Sequence, residues 1–462
     1  MKVYPVISLR RQLTFILLWL FVSGCTVVGP DYQRPAVDLP ANFKESTTEN
    51  ILIKPTSSAT IDSRWWLIYQ DVVLNQLEQK MELQNFSLKA AAAQMQQAQS
   101  SAKIALASQS ATVDAGGRND FGFLASWEID LWGGIRRKVE ASGANAQASE
   151  ADYAAAKLSL QAQLAQNYAL IRIEDAIIDL LEDTIASYRR SLTIAQNQYT
   201  AGIVDEGIVA QAQAQLSSTE TQWYDARIIR AQLEHSIAVL IGQNPAAFTL
   251  AKTKTTLKVP QIPVLLPSQL LHRRPDIVAA ERRMAEASAQ IGVAEAASYP
   301  SLNIFAGASI RDELIGGGEL LIPLYRAGSL KALSNKARAA FKQVVANYRQ
   351  TVLNSFLEVE NSLVALNLLQ QAAATQDKAV KANLKSVQIT KNQFKVGIVN
   401  YQSIVIEETK FLINELTALN ILSRRLVASV DLVKALGGNW QSPFSDEKKS
   451  ENNTSAVDKN TN

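Results

Sequence analysis

Asn197-Gln198-Tyr199-Thr200-Ala201-Gly202-Ile203-Val204 closes a long run of helix-forming sequence, and nearly the same words return at Asn392-Gln393-Phe394-Lys395-Val396-Gly397-Ile398-Val399. Tyr199 and Phe394 stand 195 positions apart, and the stretches leading into them keep one register. Leu164, Ile171, Ile178, Ile185, Leu192 and Tyr199 recur every seventh residue. Val359, Leu366, Ala373, Val380, Val387 and Phe394 do the same at the 195-residue offset. A seven-residue apolar repeat held this long requires a coiled-coil seam. Its return without an insertion requires internal duplication. Each copy breaks at a glycine, which accepts the positive φ of a helix C-cap, and a second helix starts almost at once. The chain therefore carries two long antiparallel helical hairpins, about 137–199 with 206–241 and 330–396 with 401–436, whose tips are Gly202 and Gly397. A helix of about 63 residues reaches roughly 95 Å at 1.5 Å per residue.

Between and before the hairpins the period changes. Phe121, Phe123, Ala125, Trp127, Ile129 and Leu131 alternate with Gly122, Leu124, Ser126, Glu128, Asp130 and Trp132, the pattern of a strand with one apolar face. Residues 105–114 read as its weaker partner, with the turn at Gly116-Gly117-Arg118-Asn119-Asp120. The second half mirrors this. Leu302, Ile304, Ala306, Ala308 and Ile310 face one way, Gly316-Gly317-Gly318 falls in the turn region, and Leu320, Ile322 and Leu324 resume the apolar face. Four strands are too few to close a barrel, and an open sheet edge cannot stand in lipid. Three copies would supply twelve, a number that closes.

Composition narrows the functional classes. Of 462 residues, 47% are apolar, yet no internal stretch approaches the roughly 20 apolar residues of a membrane-spanning helix. Two histidines and one cysteine exclude a disulfide scaffold and a histidine–cysteine metal cluster. Lys2, Arg10 and Arg11 followed by the apolar Phe15–Phe21 form an export signal, and Val22-Ser23-Gly24-Cys25 has the form of a bacterial lipobox. Removing residues 1–24 takes away three of the positive charges in a net formal +3, so the basic balance is no argument for nucleic acid. Glu128 and Asp130, two apart on a strand, come with no nucleophile or histidine, so no enzymatic reading attaches to them.

Several motifs carry a family resemblance. Cys25-Thr26-Val27-Val28-Gly29-Pro30-Asp31-Tyr32-Gln33-Arg34-Pro35, then Trp65-Trp66 with Asp71 and Leu74, resembles the start of the TolC-like outer-membrane factor lipoproteins of the NodT/OprM type. Trp127-Glu128-Ile129-Asp130-Leu131-Trp132-Gly133, Arg273-Arg274-Pro275-Asp276-Ile277 and Tyr299-Pro300-Ser301-Leu302 continue the likeness, which runs from residue 25 to 440. The resemblance implies a mainly α protein built as two tandem repeats. A trimeric α-barrel of coiled-coil hairpins would be capped by a shared twelve-stranded β-barrel with four short strands from each protomer. It divides the chain into a signal peptide (1–24), an acylated extended arm (25–70), repeat 1 (71–243), a linker (244–266), repeat 2 (267–440) and a disordered tail (441–462). The first helix is expected from about Asp71 to Lys103.

By the same resemblance the protein is a passive outer-membrane exit duct of a tripartite efflux pump. It would be a homotrimer working with a periplasmic adaptor and an inner-membrane pump, lipid-anchored through Cys25, without another cofactor. A type I secretion duct and a non-conducting envelope lipoprotein are the alternatives. The hairpin tips would form the periplasmic mouth, with Gly202 and Gly397 where adaptor hairpins dock. Family gates carry Asp at the positions of Ile208, Ser403 and Ile406. None is acidic here, so a hydrophobic constriction from Tyr401, Gln402, Val405 and Ile406 is expected, with Asp205 and Glu206 as nearby charge. Glu128 and Asp130 are expected to line the lumen or the barrel rim.

Overall fold

The computed structural model describes residues 27–36, 40–47, 64–116, 122–254, 256–262, 267–309 and 314–444. The export signal, Cys25, most of the turn after Gly116 and the tail beyond Phe444 lie outside the described residues. Eight α-helices and four β-strands follow in chain order among those described, beside three short 3-10 helices. They are α1 (Val72–Gln84), α2 (Phe86–Ala107), β1 (Thr112–Gly116), β2 (Gly122–Ile129), α3 (Gly134–Thr200), α4 (Glu206–Leu240), α5 (Pro267–Arg273), α6 (Pro275–Ala296), β3 (Ser301–Ser309), β4 (Leu314–Leu321), α7 (Ser329–Lys395) and α8 (Tyr401–Ala435). No described helix is long and apolar enough to cross a membrane.

The chain forms two compact units, and neither follows the repeat boundaries. One comprises residues 1–38, 91–153 and 275–353, and the other residues 39–90, 154–274 and 354–462. Each unit draws on both repeats, because corresponding parts of the two repeats pack together.

The first unit holds one antiparallel sheet in the order β1-β2-β3-β4. Its register pairs Ala125 with Ala306, Trp127 with Ile304 and Glu128 with Asn303. Three expectations change here. The strand expected over 105–114 is helix as far as Ala107, and β1 covers only Thr112–Gly116. The alternation in that stretch is an accident of small and polar residues, whereas the Ala-rich run ahead of it is a strong helix former. Gly316-Gly317-Gly318 sits inside β4 rather than in a turn, opposite Ala306, Phe305 and Ile304. The Phe305 ring lies 3.0 Å from where a Cβ on Gly317 would stand, so the absent side chain makes room for the aromatic one. Ile322, Pro323, Leu324 and Tyr325 lie beyond the strand's end.

The second unit holds the greater part of both hairpins, from residues 154 and 354 onward. Leu164, Ile171, Ile178, Ile185 and Leu192 of the first seam are buried, and Tyr199 is half-exposed. In the second seam Val359 and Val387 are buried, whereas Leu366, Ala373, Val380 and Phe394 are only partly covered. The single helix expected over 71–103 is broken at Asn85. Its side chain accepts the Leu88 N–H at 2.8 Å, capping α2, and donates to the Leu240 carbonyl at 2.7 Å. A side chain that bonds the backbone on both sides competes with the helix it interrupts. Arg274 does the corresponding work in the second repeat, donating to the Ala435 carbonyl at 2.9 Å and to Glu358 at 2.7 Å. Leu240 and Ala435 are again 195 positions apart.

The stretch after α4 is not featureless. Residues 250–253 are strapped to the first hairpin. Arg230 donates to the Leu250 carbonyl and Arg172 to the Ala251 carbonyl, while Glu234 accepts the Leu250 N–H. Asp175, wholly buried, ties both arginines together at 2.9 and 2.6 Å. A buried carboxylate with two guanidinium partners satisfies the rule that interior charge be paired.

Candidate functional site

Two regions carry functional candidates, the sheet of the first unit and the hairpin tips of the second. In the sheet, the strand register sorts every paired residue onto one of two faces. One face carries Val113, Ala115, Phe123, Ala125, Trp127, Ile129, their partners from Leu302 to Ala308, and Leu314, Gly316, Gly318 and Leu320. It holds no polar side chain. Thr112, Asp114, Ser126, Glu128, Asn303 and Glu319 stand on the other, with the apolar Leu124, Phe305, Ile315 and Leu321 among them. Glu128 and Glu319 flank Asn303 on adjacent strands, and the register alone reveals Glu319 as the companion of Glu128. A face with no polar side chain suits hydrocarbon and the opposite face suits water.

Glu128 is exposed on the polar face, whereas Asp130 is tied into the strand-to-helix junction. Its carboxylate accepts the N–H groups of Ile135 (3.1 Å) and Arg136 (2.9 Å) and pairs with the Arg136 guanidinium at 3.1 Å. It therefore satisfies the orphan donors at the start of α3. The arm docks beside it. Val28 N–H bonds the Trp132 carbonyl at 3.0 Å, and buried Arg137 donates to the Val28 and Gly29 carbonyls and to Asp31. Gly29 passes so close to Gly292 that a Cβ would sit 2.5 Å from its Cα. Trp132 stacks on Tyr299 at 4.7 Å and donates to the Pro300 carbonyl.

At the tips, the repeated words fold identically. Gly202 (φ +71°) and Gly397 (φ +75°) are the left-handed residues of two Schellman motifs. Ile203 N–H bonds the Gln198 carbonyl and Ile398 N–H the Gln393 carbonyl, both at 2.9 Å. A Cβ on either glycine would meet nothing within 4 Å. Asp205 then caps α4 by accepting the Ile208 N–H, and Asn400 caps α8 by accepting the Ser403 N–H. Glu206 is exposed in the first turn of α4.

The expected gate set divides. Gln402 and Ile406 are exposed, but Tyr401 and Val405 are buried with Ile404 in one cluster with Ile185, Tyr188, Leu192, Ala212 and Leu216. Positions 401, 404, 405 and 412 lie on one helical face, which α8 turns toward α3 and α4. That spacing was the signal that could have placed Ile404 in the set. The Tyr401 phenol meets Ser191, and burial pushes its pKa up. Charged contacts surround this cluster but stay within a hairpin. Lys391 pairs with Glu408 at 2.7 Å, Lys410 with Glu407 at 2.9 Å, and Arg189 with Glu220 at 2.7 Å. Hydrogen bonds from Lys410 and Ser386 hold the Glu407 carboxyl below the usual range. Among the described residues no three metal-ligating side chains gather.

A sheet with one wholly apolar face, joined in one chain to two duplicated helical hairpins, defines the protomer of an outer-membrane channel. The chain belongs to the outer membrane efflux protein family, whose sequence profile matches residues 77–243 and 266–438. It is 27% identical to the cation efflux system protein CusC of Escherichia coli O6:H1 over 457 residues, covering 91% of this chain and 97% of that one. It is 28% identical to the pyoverdine export outer membrane protein OpmQ of Pseudomonas aeruginosa over 468 residues, covering 91% and 96%. Among solved structures, the outer-membrane channel OprN superposes with a TM-score of 0.81 at 25% identity, covering 89% of this chain and 99% of that one. The CmeC channel of Campylobacter jejuni shares the fold, with a TM-score of 0.83 at 22% identity over 92% and 98%.

Proposed function

We propose that three copies pool their strands into one closed barrel and form a passive exit duct for small molecules across the outer membrane. An inner-membrane pump supplies the energy and a periplasmic adaptor, docking at the Gly202 and Gly397 tips, opens the mouth. The observation that carries this reading is the sidedness of the sheet. Its apolar face is suited to lipid, its polar face to a water-filled lumen, and β1 and β4 each keep an outer edge that another chain must satisfy. Efflux is favoured over protein secretion because the relatives named above are a cation efflux protein and a pyoverdine exporter.

Cys25 is the acylation site in this reading, and the arm supports it. Val28, bonded to the Trp132 carbonyl, comes three residues after Cys25, and three residues reach at most about 10 Å. The lipid is thereby leashed to the end of the sheet where strand becomes helix. Glu128, with Asn303 and Glu319, lines the lumen, while Asp130 serves the rim as a helix cap. Gln402 and Ile406 are the exposed members of the mouth, with Asp205 and Glu206 beside them.

Planar-bilayer recording of the purified full-length protein tests the duct. Discrete conductance steps from a trimeric sample are expected, and a monomer that never conducts would overturn the reading. Cys25→Ala should leave the helical content unchanged and remove the mass of the acyl chains by mass spectrometry.

A further inference from the structure

Four cations stand where the sheet gives way to helices, and they divide into two pairs. Arg136 is bound to Asp130 at 3.1 Å, and Arg137 to Asp31 and to Glu140 at 2.7 Å each. Lys138 and Arg326 are exposed and pair with no carboxylate among the described residues. Both line one cavity of about 420 Å³, a volume within the range of small-molecule sites. Glu128 and Leu321 reach it from the polar face of the sheet, while Ile135 of α3 and Val293 of α6 add apolar surface. Trp132 and Tyr299 also line it, stacked at 4.7 Å with 27° between their planes. The indole N–H is tied to the Pro300 carbonyl at 2.8 Å, so this aromatic platform is fixed. Asp130 lies in the lining too, but its charge is taken up by Arg136. Two cations are therefore left facing Glu128 alone.

We propose that this cavity binds amphipathic aromatic anions, with a carboxylate or sulfonate held by Lys138 and Arg326 and the ring against Trp132 and Tyr299. The inference rests on the duct reading, which turns the polar face to the lumen, and it gives that duct a substrate class. Each copy then holds one molecule in transit where the helices pass into the strands. Hydrogen bonds from an ammonium and a guanidinium to an anion are charge-assisted, and partial exclusion of water by Ile135, Val293 and Leu321 strengthens them. The ring gains an offset-stacking or edge-to-face partner. A cation of the same shape meets two like charges and one opposite, so sign as well as shape decides what stays. Lys138→Gln and Arg326→Gln should each weaken an aromatic sulfonate about tenfold, the loss of one such hydrogen bond. Neither side chain holds another element in place, so both variants should fold. Tyr299→Leu should weaken binding through the ring, and Glu128→Gln should tighten it.

The probe is naphthalene-2-sulfonate, titrated by calorimetry into the purified full-length protein in a non-ionic detergent. The ammonium of matching shape, naphthalen-2-ylmethylammonium, is the control. Saturable binding of the sulfonate, weakened by Lys138→Gln and by Arg326→Gln and not shared by the ammonium, supports the site. Equal binding of the ammonium overturns it, as does sulfonate binding that neither glutamine variant changes. Bilayer recording separates this inference from the duct reading, because the sulfonate should block the wild-type channel and block the Lys138→Gln/Arg326→Gln double variant less. If calorimetry follows the expected pattern while no sample conducts, the site holds and the duct reading falls. If the channel conducts but the sulfonate neither binds nor blocks, the site falls and the duct remains.

Discussion

The two ends of the hairpins use one motif in opposite surroundings. Gly242 and Gly437 close α4 and α8 at the base with the same Schellman pattern that Gly202 and Gly397 use at the tips. At the base the glycines are hemmed in. A Cβ on Gly242 would stand 2.5 Å from the Gln84 carbonyl oxygen, and one on Gly437 2.3 Å from that of Arg273. At the tips it would meet open space. The same positive φ therefore serves a close backbone approach at one end and a bare, accessible turn at the other. Local chemistry ends the helix in both places, and tertiary packing decides whether that end is fixed or free.

The widest separation between the two ends is expected from glycine replacement. Gly437→Ala combines a left-handed backbone with a clash against another backbone and should cost about 3–5 kcal/mol, measured by urea unfolding of the purified protein. Next come the side chains that brace the base. Arg274→Ala should cost about 2–3 kcal/mol, because it leaves the Ala435 carbonyl and the Glu358 carboxylate without their donor. Asn85→Ala, with a neutral donor and a cap at stake, should cost about 2 kcal/mol. Equal losses from all three and from a tip substitution would abolish the contrast.

A pH titration sharpens it further. At the base, Glu78 is wholly buried on α1 with neither oxygen hydrogen-bonded, and desolvation pushes its pKa well above 4.5, aided by Glu82 and opposed by Lys157. Its folded pKa lies above the unfolded one, so stability from this group is full below about pH 4.3 and is lost as pH rises toward the folded value. Glu78→Gln should flatten that decline in a melting-temperature series. At the tip the sign reverses. Glu407 is held low, so its contribution is present above about pH 4.3 and lost as pH falls through its folded value. The smallest effect belongs to Gly202→Ala, where only backbone strain is at stake, about 1 kcal/mol by the same urea assay.

These differences also mark what could be read before any coordinates. Hairpins and strand faces are periodic, and periodicity is written in residue order. Asn85 looks like one more polar residue in an Ala-Gln helix until the Leu240 carbonyl stands beside it. A triple glycine reads as a turn unless the Phe305 ring is known to lie across it. Tyr401 and Val405 were expected to line an opening because α8 begins at the mouth. Only the packing of α3 against that helix turns them inward and leaves Gln402 and Ile406 outside. Pairs whose members sit on different elements are what residue order conceals.

The sheet edges described for β1 and β4 also bear on biogenesis. A solitary chain carries two unsatisfied rows of backbone donors and acceptors, which lipid will not accept and which water tolerates only briefly before mispairing. The appearance of membrane-embedded material should therefore rise far more steeply than in proportion to chain concentration. Slow synthesis would starve insertion, and crowded synthesis without a chaperone would divert it into aggregates.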